Sequence, residues 1–118
     1  MMDVYDLISA ASQLFNEKKY TEVIEKLHQA WDAITDKSTQ IKEQIGIQYV
    51  LGCCYYKQAI KTKDENEADK LFDKAVKHYQ EWLQFKQENI QDQINVQSWI
   101  VYCYYTQLER TKNIGRAD

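Results

Sequence analysis

The side chains best suited to covalent or metal chemistry are three cysteines in a chain of 118 residues. Cys53 and Cys54 are adjacent, and Cys103 follows Cys54 by 49 residues. Because there is no Cys-x-x-Cys pair and no histidine at ligand spacing, the sequence predicts no metal site. No histidine or basic cluster lies beside the thiols to activate them, so we expect reduced, buried cysteines that pack as small apolar residues. A redox or nucleophilic thiol is the alternative.

The other titratable residues show no catalytic pattern. His28 and His78 fall on different predicted helices, and no Ser, Cys or Asp stands at a spacing typical of a catalytic triad. The carboxylates mostly neighbour lysines, as Glu22 does Lys26, which is typical of solvated helix faces. Only three glycines are present in the whole chain, which is hardly enough to form a glycine-rich phosphate-binding loop. The sequence therefore predicts no enzyme and no cofactor.

Charge and hydropathy narrow the class of partner. The net charge is −3, so the basic surface typical of nucleic-acid binding is absent. Lysines near residue 60 lie beside several tyrosines, a combination that stacks single-stranded nucleic acid, but Asp64, Glu65 and Glu67 interrupt them. No apolar run approaches the roughly 18 residues that a membrane span needs, and no basic segment precedes the first apolar residues. We expect a cytoplasmic protein without nucleic-acid or membrane binding.

The elements that position these residues are predicted to be helices. The chain has no proline, and its apolar residues recur at three- and four-residue spacing. Short polar breaks near residues 18, 37, 64 and 89 divide it into about five antiparallel helices of one all-α domain, residues 1–118. The predicted helices begin at Met2 or Asp3, Tyr20, Thr39, Glu65 and after Asn89, and the last three end at Thr62, at Phe85 or Lys86, and near Lys112. The predicted caps are Ser38 or Thr39, Asp64 with Glu67, Asn89, and Asn113 or Gly115.

The third and fifth predicted helices share an internal repeat. The segment Lys42–Lys63 returns 49 residues later as Gln91–Lys112, with nine of 22 positions identical. A match of this extent predicts that the two segments occupy equivalent places in a stacked helical array. The identical pairs are Gln44/Gln93, Ile45/Ile94, Gln48/Gln97, Cys54/Cys103, Tyr55/Tyr104, Tyr56/Tyr105, Gln58/Gln107, Thr62/Thr111 and Lys63/Lys112.

The third and fourth predicted helices carry small and large apolar residues at spacings that allow close packing. They are Leu51, Gly52 and Tyr55 in the third helix and Ala68, Phe72 and Ala75 in the fourth. At these positions the chain resembles a tetratricopeptide repeat, a family in which one helix carries Leu-Gly and then an aromatic residue, and the next carries Ala, an aromatic residue and Ala. The resemblance implies a right-handed superhelix of antiparallel helix pairs, in units of residues 4–37, 39–87 and 90–112, the last with a single helix. The spacings of 41 and 49 residues exceed the usual 34. Because Val101 replaces the glycine, the last helix should pack farther out or require a smaller partner side chain.

The resemblance also implies a function. Tetratricopeptide arrays bind peptides or protein surfaces along a concave face made by the first helix of each unit. We therefore expect an adaptor for a protein or peptide partner; a dedicated secretion or folding chaperone and a self-associating structural subunit are the alternatives. The implied groove residues are Tyr5, Ile8, Ser12, Phe15, Asn16, Tyr49, Val50, Cys53, Tyr56, Lys57, Ser98, Trp99, Tyr102, Tyr105 and Thr106.

Two expectations about this groove can be checked. Alanine at Tyr56 and Tyr105 is expected to weaken partner binding without unfolding the domain. The alternative is that some of the groove rings fill the core, and loss of folding in these variants would place the two rings there. The family's cationic clamp on a C-terminal carboxylate is not expected, since Ile8, Ser12 and Tyr49 stand at its positions.

The last predicted helix has no partner helix after it in the repeat. Its outer side would expose some of Ile94, Ile100, Cys103, Tyr104 and Leu108. Exposed apolar patches mark interfaces, so we expect either a homodimer through this helix or a partner that completes the third unit. The alternative is that the helix packs against its predecessor and exposes little.

Overall fold

The computed structural model describes residues 3–85 and 89–117, with backbone alone for 112–117. Within these ranges the chain forms five α-helices and no strand, which confirms the all-α prediction. The helices are α1 (Val4–Asn16), α2 (Tyr20–Ala33), α3 (Ile41–Lys61), α4 (Glu65–Leu83) and α5 (Ile90–Ala117). Met2, Lys86, Gln87 and Asp118, to which some predicted boundaries refer, lie outside the described residues.

Three helices begin at side-chain caps. The backbone N–H of Asp6 donates to Asp3 at 2.8 Å, and that of Glu67 donates to Asp64 at 2.9 Å. Asn89 accepts from the N–H of Gln91 at 2.8 Å. Each bond satisfies a donor that has no partner inside the helix, which is why short polar residues are favoured there. The predicted caps at Asp64 and Asn89 are thereby confirmed.

The predicted cap of α3 is wrong. The helix begins at Ile41, after Gln40 in a left-handed conformation with φ of 53°, and no side chain caps it. Ser38 and Thr39 are used in the preceding turn instead. The N–H and hydroxyl of Ser38 both donate to the Asp36 carboxylate, at 3.0 and 2.6 Å, and the Thr39 hydroxyl donates to the Asp36 carbonyl at 2.7 Å.

Two predicted helix ends are also wrong. Helix α4 ends at Leu83, short of Phe85, and α5 continues past Lys112 to Ala117. Gly115 therefore lies inside α5. One interior glycine costs about 1 kcal/mol, which is too little to end a helix that lacks a proline.

The helices pack in chain order, and α1 also contacts α3. The α3–α4 pair is the most closely packed because Gly52 lets the Tyr79 ring approach the backbone. A methyl group at Gly52 would lie 2.6 Å from Cε1 of Tyr79. Ala68, Phe72 and Ala75 of α4 are fully buried along the same crossing. The close approach predicted from the glycine and alanines is confirmed.

A partly buried polar layer joins α2, α3 and α4. His78 Nδ1 donates to the Gln48 side-chain oxygen at 2.8 Å, and the His78 ring stacks on Tyr55 with centroids 5.4 Å apart. The Tyr55 hydroxyl hydrogen-bonds His28 at 3.2 Å. Burial, followed by the positive charges of nearby residues, lowers the pKa of His78 to about 4, so this histidine is neutral at pH 7.

Arg110 fixes α5 to the rest of the molecule. Its guanidinium donates to the carbonyls of Ala59 and Thr62, at 2.8 and 2.6 Å, and pairs with Glu65 at 3.0 Å. These carbonyls belong to the last turn of α3 and its C-terminal cap, where helix groups have no internal partner. Sequence reasoning missed this role, although Arg110 is the repeat counterpart of Lys61.

Candidate functional site

A concave surface lies between α3 and α5. Its cavity has a volume of about 690 Å³ and is lined by side chains from both helices. They are predominantly aromatic, with three polar groups among them. The lining residues are Tyr49, Tyr56, Lys57, Ile60, Asn95, Ser98, Trp99 and Tyr102.

This surface continues across α3 to α1. A second cavity, of about 360 Å³, lies between α1 and α3. A third cavity, also of about 360 Å³, lies between the other two: it shares Gly46 and Val50 with the second, and Tyr49 and Asn95 with the first. The three cavities thus adjoin one another across α1, α3 and α5, and together we call them the groove. The α1 side is lined by Ile8, Ala11, Ser12, Phe15 and Asn16.

A cluster of rings forms the α5 end of the groove. Tyr56 lies at its base, with ring centroids 6.0 Å from Trp99 and 5.7 Å from Tyr102. Trp99 and Tyr102 are 37% and 48% exposed, whereas Tyr56 is only 8% exposed and also packs edge-on against Phe72. Trp99 and Tyr102 therefore present their faces to a ligand, and Tyr56 supports them from the core.

Two tyrosines of the groove, Tyr49 and Tyr56, are neutral hydrogen-bonding groups. Burial raises the pKa of Tyr56 to about 12 and also raises that of Tyr49, so both keep their protons at neutral pH. The charged side chains lining the described groove are Lys57 at the α5 end and Asp92 in the adjoining cavity. The groove thus combines apolar ring faces with isolated polar groups, as binding pockets typically do.

The structure brings most of the predicted groove residues together. Helical periodicity could also have found two residues that the prediction missed, because Ile60 follows Tyr56 by four positions and Asn95 precedes Trp99 by four. The predicted residues that line the groove are Ile8, Ser12, Phe15, Asn16, Tyr49, Val50, Tyr56, Lys57, Ser98, Trp99 and Tyr102.

Four predicted groove residues lie elsewhere. Tyr5 is 73% exposed near the start of α1, away from the groove lining. Cys53 is half-buried beneath the surface, where its sulfur accepts from the Tyr79 hydroxyl at 3.4 Å. Thr106 is half-buried and its hydroxyl donates to the Tyr102 carbonyl at 2.8 Å. Tyr105 shares the outward face of α5 with Val101, one turn before it.

The burial of Tyr56 corrects one expectation. Alanine at this position was expected to weaken partner binding without unfolding the domain. Because the ring contacts Phe72, Trp99 and Tyr102 and is nearly inaccessible, its removal would leave a core cavity. Tyr105, which is 57% exposed, can be replaced without such a cost.

A second apolar surface runs along the outward face of α5. We call it the outer stripe and define it as Ile90, Ile94, Gln97, Val101, Tyr104, Tyr105 and Leu108, all exposed.

Three of the five residues named for the outer face, Ile94, Tyr104 and Leu108, are exposed, in line with the expectation that some of them would be, and the other two are not. Cys103 is fully buried and Ile100 is half-buried against the core, because both lie on the same side of α5 as Val96, the side that faces α4. The helix therefore packs on its predecessor along one side and leaves the other open.

The cysteines are free and protected. Cys54 and Cys103 are fully buried, and burial raises the pKa of their thiols to about 12 and about 11. Burial also raises the pKa of Cys53. All three thiols are protonated at neutral pH, as expected for cysteines that pack as apolar residues.

Two searches of the described residues bear on other classes of site. Across residues 3–85 and 89–111, no three His, Cys, Asp or Glu side chains converge as metal ligands would. Within the described part of the chain, each helix is too short or too polar to span a bilayer.

Comparison of the chain with protein-family models, curated proteins and solved structures found no match.

Proposed function

We propose that this chain is a tetratricopeptide-like interaction module, an adaptor that holds a segment of a protein partner in the groove. The observation that carries the proposal is the row of adjoining cavities across α1, α3 and α5, which alternate along the chain with α2 and α4. Repeat proteins use extended concave surfaces of this kind for recognition.

The groove lining defines the chemistry of the partner segment. Trp99 and Tyr102 offer exposed ring faces, which suit an aromatic or aliphatic side chain. Lys57 lies beside them and can pair with an acidic side chain or a carbonyl oxygen. The α1 side, around Phe15 and Val50, adds a smaller apolar pocket. The matching ligand is an extended or helical segment with two apolar anchors and one acidic group.

A peptide-display selection against the full chain tests this proposal. Selected peptides are titrated while the fluorescence of tryptophan is followed, since Trp99 lines the groove. The Tyr102→Ala variant removes a groove ring that is 48% exposed, and Tyr104→Ala removes a ring that is 52% exposed on the outer stripe of the same helix. We expect Tyr102→Ala to weaken binding at least about tenfold, the loss typical of an aromatic anchor, and Tyr104→Ala to leave it unchanged.

Two results would overturn the groove as the binding site. One is a selection that yields no peptide dependent on Tyr102. The other is an equal loss of affinity in both variants, which would place the bound peptide on another surface or reveal a general effect on folding. Circular dichroism of the two variants separates the last case from the others.

A further inference from the structure

The outer stripe of α5 repeats the side of α3 that holds α4. The two segments are offset by 49 residues, and the offset carries six residues of α3 on that side onto residues of the stripe. The pairs are Ile45/Ile94, Gln48/Gln97, Gly52/Val101, Tyr55/Tyr104, Tyr56/Tyr105 and Ala59/Leu108.

On α3 these residues are covered. Gln48 and Tyr55 contact His78 of α4, Tyr56 packs edge-on against Phe72, and Ala59 is fully buried. Their counterparts on α5 are exposed, including two tyrosines identical to their buried equivalents. No described helix lies over them.

The opposite sides of the two helices are also equivalent. Gln58 of α3 donates to Thr21 of α2 at 2.9 Å, and its counterpart Gln107 donates to Asp69 of α4 at 3.4 Å. Helix α5 therefore stands to α4 as α3 stands to α2. The place that α4 takes on α3 has an equivalent on α5, and that place is open among the described residues.

The shape of the stripe differs from the surface that receives α4. Val101 and Leu108 replace Gly52 and Ala59, so the gap that admits the Tyr79 ring on α3 is filled on α5. The stripe residues Ile90, Ile94, Gln97, Val101, Tyr104 and Leu108 recur at alternating steps of four and three. This is the heptad spacing by which two helices pack side by side.

The charge of the stripe indicates what covers it. The segment from Gln93 to Leu108 contains no Asp, Glu, Lys or Arg, although 28% of the whole chain is charged. Interface cores are depleted of charge in the same way. An uncharged face pairs with a copy of itself without like-charge repulsion, whereas a charged partner would find no counterpart there.

We propose that a second copy of this chain covers the outer stripe, with the two α5 helices antiparallel about a twofold axis. This register places Ile90 against Leu108 of the partner subunit, Ile94 against Tyr104 of the partner subunit, and Gln97 against Val101 of the partner subunit. Ile90, Val101, Tyr104, Tyr105 and Leu108 are each more than half exposed, so pairing would remove a large apolar area from water. None of the α5 residues that line the groove belongs to the stripe, so the dimer would not depend on the groove's function.

Sedimentation velocity on the full chain over a concentration series tests this pairing. The wild-type chain is expected to sediment at twice its mass of 14.1 kDa. Val101→Glu places two carboxylates near the twofold axis and is expected to raise the dissociation constant at least about a hundredfold. The matched control is Tyr5→Glu, which also places a carboxylate at an exposed apolar position, but on α1, and it is expected to dimerise like the wild type.

A pair of variants tests the antiparallel register. Ile94→Lys and Tyr104→Glu are each expected to weaken dimerisation when alone. Their equimolar mixture should recover it, because the register brings the introduced ammonium of one chain beside the introduced carboxylate of the other.

Four results would overturn the proposal. The first is a wild-type chain that stays monomeric up to about 200 µM, which would mean an affinity a tenth or less of that of ordinary micromolar dimers. The second is a Val101→Glu variant that dimerises as well as Tyr5→Glu, and the third is a ladder of species larger than the dimer, which indicates open-ended association. The fourth is a mixture of the two charge variants that does not recover dimerisation. Circular dichroism verifies that each variant is folded before it is counted.

Discussion

Substituting Gly52 with alanine tests the closest contact in the fold. The added methyl carbon would lie 2.6, 2.7 and 2.9 Å from three carbons of the Tyr79 ring, well inside the 3.5–4 Å at which carbon atoms make favourable contact. The ring cannot easily withdraw. It is 1% exposed, packs edge-on against Tyr49 at 6.1 Å, and donates its hydroxyl hydrogen to Cys53.

Two opposing terms set the magnitude. Forcing a methyl group into a packed core costs about 1–3 kcal/mol, while replacing a helical glycine by alanine contributes about 1 kcal/mol of stability. Gly46, in the same helix, has no atom within 4 Å of the position that its methyl group would take. Gly46→Ala should therefore gain only the stability that comes from the higher helix propensity of alanine. The difference in free energy of unfolding between the two variants then measures the clash with Tyr79, expected at about 1–3 kcal/mol.

Urea unfolding followed by circular dichroism measures this difference. Gly46→Ala is expected to unfold at a higher urea concentration than the wild type, and Gly52→Ala at a lower one than Gly46→Ala, with similar slopes. In thermal unfolding the two midpoints should differ by roughly 4–12 °C. All samples need the same protein concentration, because self-association would itself add stability.

The reasoning fails if Gly52→Ala is as stable as Gly46→Ala. That result would mean that the Tyr79 ring does not occupy the space above Gly52, and the α3–α4 crossing would be wrong. A second check places Gly52→Ala in a Tyr79→Leu background, where the smaller side chain should remove the penalty.

Three further predictions concern the core, the anchor of α5 and pH. Tyr56→Ala is expected to lower the free energy of unfolding by about 3–4 kcal/mol, measured by urea unfolding, and Tyr105→Ala by less than about 0.5 kcal/mol. Arg110→Ala should lower the free energy of unfolding by about 2–3 kcal/mol in the same assay, because two carbonyls and Glu65 lose a charged donor. Arg110→Lys should restore only part of the lost stability. Lowering the pH from 6.5 to 4 should lower the free energy of unfolding by about 1–2 kcal/mol, a value discounted for the partial exposure of His78. In the unfolded chain this histidine binds a proton below about pH 6.5, whereas in the folded chain it binds one only near pH 4. The pH series of a His78→Gln variant should be flatter, and an equally steep series would contradict this assignment.

Local signals predicted the parts of the fold that depend on neighbouring residues. Asp64 and Asn89 cap helices because each needs only a nearby N–H, and Gly52 marks a close approach because no other residue leaves that space. The start of α3 was missed because Ser38 and Thr39 bond to Asp36 in the preceding turn and not to the first N–H groups of the helix. Both sets of partners are equally close in sequence, so the local pattern does not distinguish them.

The role of each tyrosine could not be predicted from its position alone. Tyr55 and Tyr104 are identical in the repeat, yet one is 8% and the other 52% exposed. The difference arises from α4, which covers the first, whereas no helix among the described residues covers the second. Tyr56 was assigned to the groove and lies at its buried base, because Phe72 of α4 packs behind it. Burial of this kind depends on distant parts of the chain.

The central claim is that α5 is a repeat of α3 that presents the groove on one side and an open helix-binding face on the other. The most direct measurement determines both the dimer dissociation constant and the affinity for a selected peptide in Tyr102→Ala and Tyr104→Ala. The account predicts a reciprocal pattern: Tyr102→Ala loses peptide affinity and keeps the dimer, and Tyr104→Ala loses the dimer and keeps peptide affinity. Loss of the same property in both variants, or of neither property in either, would contradict it.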